Sequence, residues 1–138
     1  MSIMMKVIEV ELGGFGDMAD ITMEIKKFLR ESKVKDGAVL IFNIGSTGAI
    51  TTIEFEPGLR KDFPNILEKL VPYNYNYEHH KTWGDDNGSS HVKASIIGPS
   101  LLIPFKNGEP ILGTWQQVVV INFDTRKRKR KVVLQILK

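Results

Sequence analysis

The segment Asp85–Gln116, DDNGSSHVKASIIGPSLLIPFKNGEPILGTWQ, carries more information about fold and function than any other part of the chain. Within it, Asn107-Gly108 between two apolar runs predicts a β-hairpin, because both central residues of such a turn need a positive φ. We interpret HVKASII as a strand, and LLIPF as another that lies at a sheet edge or contains a bulge, because Pro104 cannot donate a hydrogen bond. The Gly/Ser-rich beginning adds a histidine, a lysine and two adjacent carboxylates, a mixture typical of a site formed by a loop and strand ends.

Outward from this segment, the hydrophobic patterns predict strands over 3–11, 38–44, 49–56, 111–123 and 131–137, and helices over 21–32 and 59–71. Asp20 is expected to cap the first helix and Pro64 to lie in the first turn of the second. The uninterrupted apolar run AVLIFNI predicts a strand that is buried on both faces. This order lacks regular βαβ alternation, so we predict an α+β fold with mostly antiparallel sheet, two main helices and a single domain, 1–138.

The net charge of +3 is concentrated in one segment. Thr125–Lys131, TRKRKRK, contains six cationic residues, and subtracting their charges would leave −3. Such a run can bind nucleic acid or a small anion, but it has no interleaved aromatic residues and is more typical of a solvated hairpin turn. We therefore do not expect a nucleic-acid partner.

The absence of cysteine excludes disulfides, thiolate metal sites and thiol catalysis. The N-terminal residues become charged at Lys6 and Glu9, so they lack the apolar region of a secretory signal. No apolar run approaches the length of a membrane span. These features predict a cytoplasmic protein without a membrane partner.

Three histidines, His79, His80 and His91, occur in or beside a long polar loop that also contains Asp85 and Asp86. Two imidazoles and a carboxylate could bind a divalent metal with open positions for substrate. They could equally act as acid–base groups, because histidine titrates near neutral pH. Ordinary loop hydrogen bonds are the third interpretation, and the spacing matches no compact zinc motif.

The small-residue bend from Gly45 to Gly48 is a candidate anion site, with Ser46, Thr47 and backbone amides as donors. Its sequence contains no Walker pattern, so a tight bend with steric need for small residues explains it equally well. On the predicted strand, Lys93 and Ser95 would share a face with His91 and could contact a phosphorylated ligand. The alternative is the polar face of a half-exposed strand.

Four further residues are candidates for a role in the site. Glu54 ends a predicted strand, and Arg60 and Asp62 begin the next helix, where a salt bridge and a helix cap would also explain them. Gln116 follows Trp115 in a predicted strand, where a pocket wall or an interface would suit the amphipathic indole.

Several blocks together resemble the YjbQ-like family, which is associated with secondary thiamine-phosphate synthase activity. They are NYEH at Asn76–His79, STGAITTIE at Ser46–Glu54, LRKDF at Leu59–Phe63, and DDNGSSHVKASIIGPS at Asp85–Ser100 continuing through NGEPILGTWQ. The resemblance implies an α+β subunit, a homotrimer with sites between subunits, and weak or secondary joining of a pyrimidine diphosphate to a thiazole phosphate. It implies catalytic roles for His79, Asp86, His91, Glu54, Arg60 and Asp62, ligand-binding roles for Ser46, Thr47, Lys93, Ser95 and Gln116, and a metal set of His79, His91 and Asp86.

The chain departs from the family pattern at the start of the bend, where the family has a histidine and this sequence has Gly45. If that histidine is a ligand or a base, activity or metal affinity is reduced here. The leading hypothesis is a transferase acting on phosphorylated small molecules. The alternative is a non-catalytic trimer that binds a metabolite or a metal in the same pocket.

Overall fold

The structure is a computed structural model, and it describes residues 4–138. These residues form eight strands and four helices. In chain order they are β1 Met5–Leu12, β2 Asp17–Asp20, α1 Thr22–Ser32, β3 Gly37–Ile44, β4 Gly48–Ile53, α2 Pro57–Leu70, α3 Glu78–Trp83, α4 Gly88–Ile97, β5 Ser100–Lys106, β6 Glu109–Pro110, β7 Gln117–Asn122 and β8 Arg128–Leu137.

The strands form two antiparallel sheets, one of five strands in the order β1-β8-β3-β5-β6 and one of three in the order β2-β7-β4. Asn107 and Gly108 connect β5 to β6 with φ angles of 53° and 76°, which confirms the predicted hairpin turn. β7 and β8 follow each other in the chain but belong to different sheets. Thr125–Lys131 was predicted to be the turn of a hairpin, but residues 125–127 cross from one sheet to the other and residues 128–131 already belong to β8.

The two sheets face each other across the larger of two hydrophobic cores. The inner face of the five-stranded sheet packs there against α1 and one face of the three-stranded sheet, with Phe28, Ile41, Val120 and Leu134 among the buried members. The smaller core lies between the opposite face of the three-stranded sheet and the helices α2 and α4. The protein is thus layered, and α4 is fixed against the three-stranded sheet.

The outer face of the five-stranded sheet carries exposed apolar side chains, and no other element of residues 4–138 covers it. Register places Val7, Val133 and Phe42 side by side on this face, with Leu102 on the neighbouring strand. The prediction that β3 is buried on both faces is therefore wrong for the single chain, in which β3 alternates between buried and exposed residues.

Several local predictions were wrong. HVKASII is part of the helix α4 rather than a strand. The predicted strand 111–123 is interrupted by a turn that contains Trp115, 71% exposed. Pro64 lies inside α2, which begins at Pro57 after the capping side chain of Glu56. Asp20, however, accepts a hydrogen bond from the Thr22 amide at 2.9 Å, so it stabilises the start of α1.

The predicted fold class, α+β with mostly antiparallel sheet, is confirmed. The number of helices was underestimated, because the pattern of α4 was interpreted as a strand and α3 lies in the segment interpreted as a polar loop. None of the helices between Met4 and Lys138 has the length and hydrophobicity needed to cross a lipid bilayer.

Candidate functional site

The candidate site is built around two stacked histidines. His79 lies on α3 and His91 on the first turns of α4, and their ring centroids are 4.4 Å apart at an interplanar angle of 54°. The Nε2 atom of His79 lies 3.3 Å from an Asp85 carboxylate oxygen. Burial lowers the pKa of His91, and the neighbouring His79 lowers it further. Both effects favour the neutral form of the His91 ring, which can accept a proton.

The loop between α3 and α4 is fixed by side-chain hydrogen bonds. Asn87 precedes α4, and with its side-chain nitrogen facing these groups it lies 3.0 Å from His79 Nε2 and 3.1 Å from Asp85 Oδ2. The amide of Gly88 donates to His80 Nε2 at 2.9 Å. His80 thus has a structural partner and holds the start of α4, whereas His79 and His91 face each other.

A cleft of about 360 Å³ lies beside His91, and we call it the basic cleft. The Gly45–Thr47 bend forms one side, and the first residues of β8 form another. Its lining contains three cationic side chains and one carboxylate, which favours an anionic ligand. The lining residues are Gly45, Ser46, Thr47, Asn87, His91, Asp124, Arg128, Lys129 and Arg130.

A buried polar network supports this cleft. Thr47 Oγ1 donates to Asp124 at 3.0 Å and accepts from Arg130 Nη2 at 2.6 Å. Arg128 Nε donates to the same carboxylate at 2.9 Å. Burial acts to raise the pKa of Asp124, but the hydrogen bonds from Thr47 and Arg128 outweigh it and lower that pKa. The Asp124 carboxylate therefore orients Arg128 directly and is linked to Arg130 through Thr47.

Three buried side-chain polar atoms have no hydrogen-bond partner within residues 4–138: Arg130 Nε, Asn43 Oδ1 and Ser90 Oγ. A Cβ placed on Gly48 would lie 2.9 Å from Arg130 Nε and 2.7 Å from Asn43 Nδ2, so these two side chains pack directly against the bend. Ser90 directly precedes His91. Unpaired buried polar groups are costly in free energy, so each one in a folded protein needs an explanation. Their position beside the bend and His91 is consistent with a binding site in this region.

The structure brings together part of the predicted set. Ser46, Thr47 and His91 line the basic cleft, and His79 contacts His91. Asp86 does not join them, because its carboxylate accepts from the Tyr73 hydroxyl at 2.8 Å and from Thr125 Oγ1 at 3.4 Å.

The predicted metal set is likewise not assembled in the single chain. Within residues 4–138, no group of three or more His, Asp or Glu side chains is arranged to hold a metal ion. Asp85, not Asp86, is the carboxylate beside His79.

Lys93 does not share a face with His91, because the segment is helical and residues two apart diverge on a helix. Ser95, four residues after His91, does share a face with it, but on a helix rather than on the predicted strand. Lys93 is buried and forms an ion pair with Glu68 at 2.8 Å, so it fixes α4 rather than facing the bend. Ser95 is exposed and lines a second cleft on the other side of the bend.

The remaining candidates lie elsewhere. Arg60 stacks over the Phe55 ring at 4.5 Å and lines a separate cleft with Asp17 and Lys61. Glu54 and Asp62 are exposed and do not line the basic cleft. Gln116 donates to Thr52 Oγ1 at 3.3 Å and accepts from the Gly113 amide at 3.0 Å, which makes it a turn-stabilising residue.

Sequence reasoning missed Asn87, Asp124, Arg128 and Arg130 as site residues. Asn87 and Asp124 carry no distinctive spacing. For Arg130 a signal existed, because it is in phase with the inward-facing Val132, Leu134 and Ile136 of β8, and alternation on a strand places every second side chain on the same face.

Gly45 is constrained by this arginine. Its φ of 131° lies in the region that favours glycine. A Cβ at this position would lie 2.9 Å from Arg130 Nη1. A Gly45→His protein would therefore have to displace a buried guanidinium as well as strain the backbone.

Comparison with known proteins places this arrangement in a family. The model of the UPF0047 protein YjbQ-like family matches residues 6–138, nearly the whole chain. The chain belongs to the YjbQ-like UPF0047 family. The resemblance seen in the sequence blocks is thereby confirmed, and the bend, α4 and β8 all lie within the matched region.

Members of the family from distant organisms are similar along most of their length. A UPF0047 protein of Methanocaldococcus jannaschii is 38% identical over 82% of this chain and 80% of its own. The UPF0047 protein YugU of Bacillus subtilis is 32% identical over 88% and 90%.

Solved structures extend the similarity to the fold. A YjbQ/UPF0047 family protein from Clostridium acetobutylicum superposes with a TM-score of 0.87 and 32% identity over 96% of this chain and 99% of that one. A protein of unknown function from Sulfolobus solfataricus gives a TM-score of 0.89 and 27% identity over 96% and 94%.

Proposed function

We propose that this protein binds a phosphorylated small molecule in the basic cleft and transfers a group of that molecule with His79 and His91 as proton-handling residues. The observation that carries the proposal is the position of a neutral, half-buried histidine in the wall of a cleft that contains Arg128, Lys129 and Arg130. Arginines bind phosphate oxygens through two parallel hydrogen bonds, and a neutral imidazole accepts a proton near physiological pH.

The form of chemistry that fits this site is a transfer in which a phosphate or diphosphate leaves, as in secondary thiamine-phosphate synthase activity. Negative charge grows on the leaving oxygen in such a step, and fixed cations beside it stabilise the transition state. Arg130 is held in place by Thr47 and Asn122, so little reorganisation is needed when that charge develops. We derive no metal-dependent step, because the donor side chains do not converge in the single chain.

The basic segment supports a small anionic ligand over a polyanion. Arg128 is paired with Asp124, Lys129 lies 3.6 Å from Glu9, and Arg130 is buried. A nucleic-acid surface would need most of these charges free to contact successive phosphates.

Pyrophosphate titration by calorimetry at fixed ionic strength tests the binding part of the proposal. We expect saturable binding that is weakened about tenfold in Arg128→Gln, because one charge-assisted contact is lost. Arg126→Gln is the matched control, since it removes the same charge from the same basic run without lining the cleft. Absence of saturable binding, or equal weakening in both variants, contradicts the proposal.

A coupling assay with a pyrimidine diphosphate and a thiazole phosphate tests the chemistry. We expect product formation in the wild type and its loss in His91→Gln. The second candidate function is non-catalytic binding, which is favoured by the separation of Glu54, Arg60 and Asp62 from the histidine pair. Saturable binding of pyrophosphate without turnover of these or related phosphorylated substrates would select it.

We also propose that the protein is a homotrimer, as the family resemblance implies. The exposed apolar residues on the outer face of the five-stranded sheet support this, as do Val92 and Ile96 on α4. Large exposed apolar patches mark protein contacts. Both surfaces lie close in sequence to site residues, Ile44 before the bend and Val92 after His91, so a neighbouring subunit could reach the cleft.

A further inference from the structure

A second cleft, of about 220 Å³, lies on the other side of the bend from the basic cleft. The two clefts share three lining residues, Gly45, Ser46 and His91. The second cleft adds Gly48, Ala94, Ser95 and Pro99. We call it the neutral cleft, because none of its lining residues is an acid, a lysine or an arginine.

The walls of the neutral cleft are held by the backbone. The Ile50 amide donates to the carbonyl of Gly98 at 3.1 Å, and the Asn43 amide donates to the carbonyl of Pro99 at 2.8 Å. The segment that closes α4 is thereby fixed to β3 and β4. Glycine is required at 48 because any Cβ there would contact Asn43 and Arg130. The absence of a side chain at residue 48 in this cleft is thus a consequence of the packing that positions Arg130.

The contrast between the clefts has a chemical meaning. An ionic group would lose hydration in the neutral cleft without gaining a partner, whereas an uncharged group loses little. A cavity of roughly 150 Å³ suffices for a benzene ring, so this cleft has room for one ring with a substituent. Ser46 and Ser95 provide hydroxyls for one or two polar atoms on that ring.

We infer that the neutral cleft binds the uncharged, ring-sized part of the ligand whose phosphate occupies the basic cleft. His91 lies between the two parts, at the bond that joins them. This inference rests on the proposed function for the phosphate end, but it assigns a separate surface and a separate chemical class to the other end. It makes Ser95, rather than any charged residue, the position that limits the size of the ligand.

Phenyl phosphate and methyl phosphate are the probes, because they differ only in the uncharged group. Their dissociation constants are measured for the wild type, for Ser95→Leu, and for Asn65→Leu as a control that adds leucine at an exposed position of α2. We expect the wild type and the control to bind phenyl phosphate roughly tenfold more tightly, from burial of the ring. In Ser95→Leu we expect the ratio of the methyl phosphate dissociation constant to the phenyl phosphate dissociation constant to fall toward one. Equal affinities in the wild type, or an unchanged ratio in a folded Ser95→Leu protein, overturn the inference.

Benzyl alcohol, an uncharged probe, separates this inference from the proposed function. Saturable NMR shifts of the Ser46, Ala94 and Ser95 amides that are abolished by Ser95→Leu would support binding in the neutral cleft. If these shifts occur but neither phosphate ester nor pyrophosphate binds, the proposed function alone fails. Pyrophosphate binding with no benzyl alcohol response and no preference for phenyl phosphate overturns the neutral cleft and leaves the proposed function standing.

Discussion

The three-stranded sheet is covered on both faces, whereas the five-stranded sheet is covered on one. Every residue of β7 from Val118 to Asn122 is buried, because the two cores lie on opposite sides of it. On the outer face of the larger sheet, Val7, Phe42 and Leu102 remain exposed. The smaller sheet is thus completed within the single chain, whereas the larger sheet leaves an apolar face uncovered, on which we propose that a neighbouring subunit packs.

The largest effect is expected in the covered sheet. Ile121 is fully buried against α2 and α4, so Ile121→Ala should cost about 3 kcal/mol through lost burial and a residual cavity. Leu102→Ala, on the uncovered face, should change the stability of the monomer by less than about 0.5 kcal/mol. Denaturant unfolding at low protein concentration measures both. Comparable losses would show that the outer face is already packed in the monomer.

A smaller effect is expected for an ion pair beneath the covered sheet. Lys93 has a side chain 9% exposed and pairs with Glu68, which is 47% exposed. Glu68→Gln leaves the lysine buried without its counter-charge and should cost about 2 kcal/mol. Glu9→Gln, which weakens the exposed contact with Lys129 on the uncovered face, should cost less than about 0.5 kcal/mol. If the two variants unfold alike, Lys93 is solvated in solution.

The third effect concerns pH. Burial holds the pKa of His91 below its ordinary value near 6.5. The unfolded chain therefore binds a proton at a higher pH than the folded protein does, and the free energy of unfolding falls as pH decreases from 7 through the unfolded pKa toward the folded one. His91→Gln should remove this component. Unfolding curves collected across that range check it, and an unchanged pH dependence in the variant refutes it.

A substitution on the uncovered face is expected to change the stability of a single chain least. It should nevertheless change the molecular mass of the assembly. Phe42→Asp places a charge in the centre of the proposed subunit contact and should convert trimers to monomers without unfolding them, since an unpaired buried charge is costly. Ile66→Asp makes the same kind of change on exposed α2 and should leave the trimer intact. Light scattering decides between them. A wild type that is monomeric at all concentrations removes the proposed trimer.

The difference between the covered and the uncovered sheet also explains which elements could be predicted from the sequence. The hairpin at Asn107-Gly108, the strands β1, β4 and β8 and the helix α1 were predicted because their local signals agree with their environment. The fully apolar run of β3 predicted burial on both faces. That pattern is explained if a second chain covers the outer face of β3. The burial predicted from the sequence therefore differs from the burial observed in the single chain at the uncovered face.

The helix α4 was missed for a related physical reason. Its buried residues include Ser89, Ser90 and Lys93, while Val92 and Ile96 are exposed. This inverts the apolar stripe by which a surface helix is recognised, and three β-branched residues, Val92, Ile96 and Ile97, favour a strand. Four residues of the candidate site were predicted, because their residue types and neighbours in the sequence already indicate polar chemistry. They are His79, His91, Ser46 and Thr47. Asp124 and Arg130 were not, because they meet Thr47 only when β7 crosses to β8.

The pairing of β1 with β8 has a consequence for how the protein is made. Leu12 pairs with Arg128 and Met5 with Gln135, so within residues 4–138 the first strand to be synthesised has its one hydrogen-bonded neighbouring strand in the last. Until then its backbone donors and acceptors are unpaired while almost the whole chain is synthesised, and exposed strand edges of this kind promote aggregation. The charged side chains of Lys6, Glu9 and Glu11 keep this unpaired strand hydrated. Its order of synthesis and its order of folding are therefore opposite: β1 is first to be made and among the last to be placed.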